Sequence, residues 1–123
     1  LKELKEGMNS VVKSDDLAEI SKISKSLLDE ISADCILVTL SENGISCRTK
    51  SDFEQTPAFN RDIVDVSGAG DTVISVASLC LAVKLKYSLM SKLSSLAGGL
   101  VCKKVGVVPI DKNELLDEAL IKL

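Results

Sequence analysis

Val64-Asp65-Val66-Ser67-Gly68-Ala69-Gly70-Asp71-Thr72 sets a glycine-rich turn between a short β-like run, Ile63 to Val66, and a strongly apolar stretch that begins at Val73. Glycines admit dihedrals and close approaches that a side chain would block, so the backbone N–H groups around Gly68, Ala69 and Gly70 can point at one anion. The helix expected beyond them adds unpaired N–H groups and the positive end of its dipole. A strand, a glycine turn and a buried helix in that order put the loop at a strand end, a preferred ligand crevice in open α/β sheets. Plainer readings also stand: Asp71 is favourable at a helix start simply as a charge near the dipole, and Asp65 can stabilise its own turn through an Asx contact.

The string is neither a Walker A loop, which needs a lysine after its glycines, nor the G-x-G-x-x-G dinucleotide fingerprint. Phosphate chemistry here would use the loop amides as an anion hole, with Asp71 drawing a proton from an attacking hydroxyl. Phosphoryl transfer needs little beyond alignment, charge neutralisation and a base or orienting group.

Upstream, Leu1 to Gly7 reads as a helix tail closing at Gly7, and Asn9 to Val12 as a short extended segment. Asp16 with Glu19 forms a capping box, and Leu17, Ile20, Ile23, Leu27, Leu28 and Ile31 then recur on one helical face. Cys35-Ile36-Leu37-Val38-Thr39-Leu40 is a continuous apolar run of the kind parallel sheets contain. Ser41-Glu42-Asn43-Gly44 is a turn, with positive dihedrals expected at Asn43-Gly44, and Ile45 to Thr49 returns as a more polar strand nearer an edge. Gln55 to Phe59 is a further extended segment, interrupted by Pro57.

Downstream, Val73 to Val83 is apolar on nearly every side and reads as a helix buried between other elements. Ser88 is the expected cap of the next helix, with Leu89, Leu93, Leu96, Ala97, Leu100 and Val101 on its stripe and Gly98-Gly99 at a close backbone contact. Lys103-Lys104-Val105-Gly106 ends that helix as cations and glycine commonly do, and Asp111 with Glu114 caps a last helix that buries Leu115, Leu116, Ala119 and Leu120. Alternating helices and strands predict an α/β architecture, with helices packed on a short, mostly parallel sheet.

Composition narrows the function classes. The chain has 123 residues, 46% of them hydrophobic, enough for one domain with a core of its own. Aromatic residues make up 2%, and 18 acidic residues outnumber 15 basic ones, which argues against a stacking or basic nucleic-acid surface. Val73 to Val83 is too short to span a bilayer, so no membrane partner is expected. With no histidine, proton transfer falls to Asp, Glu, Lys or Cys. The four cysteines, at 35, 47, 80 and 102, lack the C-x-x-C spacing of a zinc site and read as buried thiols of a reducing, cytoplasmic compartment. No secretory signal opens the sequence, and a start at Leu1 points to a fragment.

Asp65-Val66-Ser67-Gly68-Ala69-Gly70-Asp71-Thr72 resembles the C-terminal signature D-[TV]-[TS]-G-A-G-D of the ribokinase-like (PfkB) carbohydrate kinases. Asp71-Thr72-Val73-Ile74 with Lys104-Val105-Gly106 is most similar to the heptose-7-phosphate kinase domain of bifunctional HldE/RfaE proteins. The likeness runs from about Cys35 to the C-terminus. It implies a partial ribokinase-like fold, residues 1–123 being the C-terminal, nucleotide-binding portion of a carbohydrate kinase domain.

The resemblance implies that Asp71 is the catalytic base and that Gly68, Ala69 and Gly70 form the anion hole. It implies a nucleotide-side role for Thr39, Ser41, Gly44, Gly70 and Ser95, and a monovalent-cation site (K⁺) at Asp65 and Ser67. ATP, Mg²⁺ and a sugar or sugar phosphate are the implied reactants, and the N-terminal half of the kinase domain the implied partner, with a homodimer left open. Ser94-Ser95-Leu96-Ala97-Gly98-Gly99 stands where heptose kinases commonly read A-N-A-A-A-G, so Ser95 replaces an asparagine, and Lys103 replaces a glycine. A non-catalytic kinase half serving folding or assembly is the alternative.

Overall fold

The computed structural model describes residues 1–59 and 62–123, in two compact units, Leu1–Pro57 and Ala58–Leu123. The first holds α1 (Lys2–Gly7), α2 (Leu17–Glu30) and the strands β1 (Cys35–Thr39), β2 (Ile45–Thr49) and β3 (Phe53–Thr56). The second holds α3 (Ala69–Ala82), α4 (Tyr87–Val101) and α5 (Lys112–Lys122). No helix among the described residues is long and apolar enough to cross a membrane.

In the first unit, α2 begins as its capping box requires: the Asp16 carboxylate accepts the Glu19 amide at 3.1 Å. Its apolar face buries Ile20, Ile23 and Leu28, while Ile31, at the C-cap, is 57% exposed. Ile20 and Ile23 join Leu4, Val12, Val38 and Leu40 in one core, flanked by Leu17, Leu27, Ile36 and Phe53. Val11 is exposed and Val12 buried, although no strand forms over Asn9 to Val12.

The sheet corrects the expected strand direction. Its order is β1-β2-β3 and both pairings are antiparallel, so it is not mostly parallel. The physical reason lies in the connection. Leu40 to Gly44 is a single 3₁₀ turn, whereas a parallel return needs a crossover of about a dozen residues or more. The apolar run in β1 has a different origin: Ile36 and Val38 point to the α2 core, while Cys35 and Leu37, on the other face, are half-buried.

Two further corrections follow from the meander. β2 is the central strand rather than an edge, with Ile45, Ser46 and Cys47 buried. The positive φ values of the turn fall on Ser41 (53°) and Gly44 (85°), and Asn43 is instead in the 3₁₀ helix. β3 begins at Phe53 and ends at Thr56, before Pro57, as expected of a residue with no amide to give a ladder.

In the second unit, α3 packs along α4 and α4 along α5. Val73, Val76, Ala77 and Cys80 form the buried side of α3. Its other side leaves Ile74 (58%), Leu79 (68%) and Leu81 (43%) exposed, where the sequence had suggested burial all round. Gly98 explains the close approach of α4: a Cβ there would lie 2.8 Å from Val73 Cγ2. α4 starts at Tyr87 with Lys86 at its N-cap and no side-chain cap, so Ser88 does not cap it. In α5 the Asp111 carboxylate accepts the Glu114 amide at 2.8 Å, and Leu115 and Ala119 are half-buried, but Leu116 and Leu120 are exposed.

Candidate functional site

Residues 62–66 carry no strand; the chain is held there by α4 instead, since the Val64 and Asp65 amides both donate to the Cys102 carbonyl, at 2.8 and 3.1 Å. Asp65 then closes the Asx turn that its sequence allows. One carboxylate oxygen accepts the Ser67 amide at 2.9 Å. The other accepts the Gly106 amide at 2.8 Å, so the loop after α4 is tied to the loop before α3. The Ser67 hydrogen bonds and then the Gly106 amide hold the Asp65 carboxyl below its usual range.

Gly68 is the N-cap of α3 in the left-handed region, φ 76°, and supplies no side-chain cap. A Cβ at Gly68 would sit 3.0 Å from Val107 Cγ1, which adds a steric demand to the dihedral one. The Ala69 amide is taken by the Val66 carbonyl at 3.2 Å, and the Thr72 amide by the Gly68 carbonyl at 3.0 Å. Between them, the Gly70 and Asp71 amides meet no acceptor among the described residues. These two groups, with the dipole behind them, are the open backbone donors of the loop.

Asp71 lies in the first turn of α3, exposed, and its backbone carbonyl accepts the Ser75 hydroxyl at 2.7 Å. No hydrogen bond or ion pair engages its carboxylate among the described residues. Gly70 beside it is exposed, and a Cβ there would meet nothing within 4 Å. The fold itself therefore asks for glycine at 68 but not at 70.

The remaining candidates divide between the units. Ser95 is buried in α4, 6% exposed, on a helix that packs against α3. Thr39, Ser41 and Gly44 belong to the first unit, where Thr39 ends β1 and Ser41 is exposed. Gly44 is buried and its carbonyl accepts the Leu40 amide at 2.7 Å. Asn43 ties this turn down, donating to Ser14 Oγ at 3.0 Å and accepting the Gln55 side-chain amide through its carbonyl. Sequence reasoning missed Gly106 and Cys102 as supports of the loop; the positive φ of Gly106, 79°, follows a pattern that marks only a helix end in sequence.

A family model described as pfkB family carbohydrate kinase matches residues 3–113, beginning well upstream of Cys35. The bifunctional protein HldE of Desulfatibacillum aliphaticivorans is 38% identical over 101 residues, which are 81% of this chain and 21% of that protein. That of Paramagnetospirillum magneticum is 33% identical over 116 residues, 94% of this chain and 23% of the other. The chain thus spans about a fifth of the length of these curated relatives.

Among solved structures, phosphofructokinase-2 from Escherichia coli in complex with potassium aligns with a TM-score of 0.84 at 19% identity, covering 94% of this chain and 37% of that one. Arabidopsis thaliana ribokinase complexed with ribose and ATP aligns with a TM-score of 0.82 at 19% identity, covering 99% of this chain and 39% of the other. At that identity both likenesses speak to fold alone, and the fold is the ribokinase-like α/β one.

Proposed function

The chain belongs to the pfkB family of carbohydrate kinases, and we propose that residues 1–123 form the C-terminal, nucleotide-binding portion of a kinase domain that moves the γ-phosphoryl group of ATP to a sugar or sugar-phosphate hydroxyl. The observation that carries this reading is the start of α3, where the Gly70 and Asp71 amides are open and Gly70 has empty space in place of a Cβ. Alanine would favour a helix by about 0.5–1 kcal/mol over glycine, so a glycine that the fold does not require is best explained by an incoming group. Heptose 7-phosphate is the finer substrate reading. It is supported by the HldE relatives and by Asp71-Thr72-Val73-Ile74 with Lys104-Val105-Gly106.

In this reading the Asp71 carboxylate, with no competing partner among the described residues, takes the proton of the acceptor hydroxyl as its oxygen attacks the phosphorus. The Gly70 and Asp71 amides face the charge that grows on the phosphoryl oxygens. Thr39, Ser41, Gly44 and Ser95 would serve the nucleotide. Mg²⁺ would enter with ATP, whose phosphate oxygens suit a hard divalent cation. Asp65 and Ser67 offer the oxygen donors that a hard monovalent cation takes, and each Asp65 oxygen keeps acceptor capacity beyond its one amide. Bound there, K⁺ would supply positive charge beside the anion cradle.

The rest of the kinase domain would cover the exposed apolar side of α3, Ile74, Leu79 and Leu81, which is the partner this reading requires. The test is sugar-dependent ATP turnover by the full-length protein and by its Asp71→Asn variant. ATP affinity should hold while kcat falls about 10²–10⁴-fold. Equal losses of binding and turnover, or turnover that ignores the sugar, would refute the assignment of Asp71.

A further inference from the structure

Cys35 opens β1 and Cys47 is the middle residue of β2. In the antiparallel register Cys35 stands opposite Thr49 and Cys47 opposite Leu37, so the two cysteines are diagonal neighbours on one face of the sheet. Diagonal positions on one sheet face bring the two side chains within reach of each other. The pair is also unequal in access: Cys35 is half-buried and Cys47 is buried. We propose that Cys35 and Cys47 form a peroxide-sensitive dithiol that closes to a cross-strand disulfide.

The half-buried Cys35 meets the oxidant and the buried Cys47 resolves it. A side-chain hydrogen bond with Cys47 brings the Cys35 thiol down to about 7, against the opposing effects of partial burial and the Asp34 carboxylate. Burial instead pushes the Cys80 and Cys102 thiols up, which leaves them protonated and slow. The Cys35 thiolate attacks one peroxide oxygen: an S–O bond forms, the O–O bond breaks, the sulfur is oxidised to a sulfenic acid and hydroxide departs. The Cys47 sulfur then displaces the sulfenic hydroxyl. An S–S bond forms, the S–O bond breaks, and the Cys47 proton leaves with the hydroxide as water. Two thiols and one hydrogen peroxide give one disulfide and two waters.

A diagonal pair sits wider than the about 3.5–4.5 Å between Cβ atoms that a disulfide spans, so closure needs a shift of Cys35. The strand end permits one. Cys35 is the first residue of β1, and Ala33 and Asp34 before it lie outside any helix or strand, after Ser32 at φ 53°. A bond closed against the register would be reduced readily, as regulatory disulfides are.

The experiment treats the full-length protein with hydrogen peroxide at pH 7 and maps its peptides without reduction. The expected product is a Cys35–Cys47 linked peptide, two hydrogens lighter than the sum and reversed by dithiothreitol, with Cys80 and Cys102 unchanged at the same dose. In Cys47→Ser the linked peptide should vanish and dimedone should trap a sulfenic acid at Cys35. Before oxidation, Cys35 should alkylate on the order of tenfold faster than Cys80. The proposal fails if wild-type Cys35 alkylates no faster than Cys80, or if oxidised wild type yields dimedone-labelled Cys35 and no linked peptide. The wild-type result alone decides should the Cys47 variant not fold.

Discussion

The Asp65 carboxylate accepts the Gly106 amide at 2.8 Å and so joins two loops that lie 41 residues apart in the chain. Its other oxygen accepts the Ser67 amide at 2.9 Å, one residue before the left-handed N-cap of α3. One side chain thereby ties the entry to α3 to the exit from α4. Asp65→Ala removes both acceptors and should lower the Tm of the full-length protein by more than Asp65→Asn, which keeps one carbonyl oxygen. Equal melting of wild type and Asp65→Ala would show the clamp to be idle.

The same carboxyl predicts a pH dependence. Its folded pKa lies below the ordinary 3.8, so its contribution to stability is complete above that value and is lost as pH falls through the folded pKa. The Glu118 carboxyl, lowered chiefly by Lys122, adds to the acid-side loss and should keep some slope in every variant. Denaturant unfolding measured from neutral pH downward should therefore show a shallower acid-side decline in Asp65→Asn than in wild type. A parallel pair of curves would contradict the assignment.

Gly68 and Gly70 should separate fold from function. At Gly68 an alanine must adopt φ 76° and press on Val107, for a loss of about 1–2 kcal/mol from the left-handed conformation alone. At Gly70 its Cβ enters open space, and stability should stay level or rise by up to about 1 kcal/mol. On the proposed function, Gly70→Ala should nonetheless impair ATP-dependent phosphorylation by the full-length protein, because the methyl group would occupy the space assigned to the phosphoryl group. Thermal melts beside turnover assays give the comparison; a fully active Gly70→Ala enzyme would remove the argument drawn from the missing Cβ.

The contact of Gly98 with Val73 sets the α3–α4 approach. A Cβ at Gly98 would lie 2.8 Å from Val73 Cγ2, so Gly98→Ala should cost about 1–3 kcal/mol by overpacking, in spite of its better helix propensity. Adding Val73→Ala makes room. A double-mutant cycle should give a favourable coupling of about 0.5–3 kcal/mol, and strict additivity would mean that the helices separate freely.

Much of the local structure was legible because its signals are local. The capping residues Asp16 and Asp111 and the Asx turn at Asp65 depend on hydrogen bonds within three residues, whereas the difference between Gly68 and Gly70 needed the structure. Ser88 misled because Lys86, two residues earlier, is the N-cap and makes no side-chain cap. The run Cys35 to Leu40 misled for a deeper reason, since a continuous apolar segment is compatible with two covered faces in either strand direction.

The amino-acid sequence by itself determined the caps at Asp16 and Asp111, the Asx turn at Asp65 and the glycine turn that leads into α3. Tertiary structure decided the antiparallel meander with β2 at its centre, the Gly106 amide on Asp65, the diagonal meeting of Cys35 and Cys47, and the uncovered side of α3. The division has a physical cause. Caps and turns are short-range choices made by the dihedrals and hydrogen bonds of a few neighbouring residues, whereas strand direction, register and burial depend on which distant surfaces close on one another, and hydrophobic burial has no direction of its own.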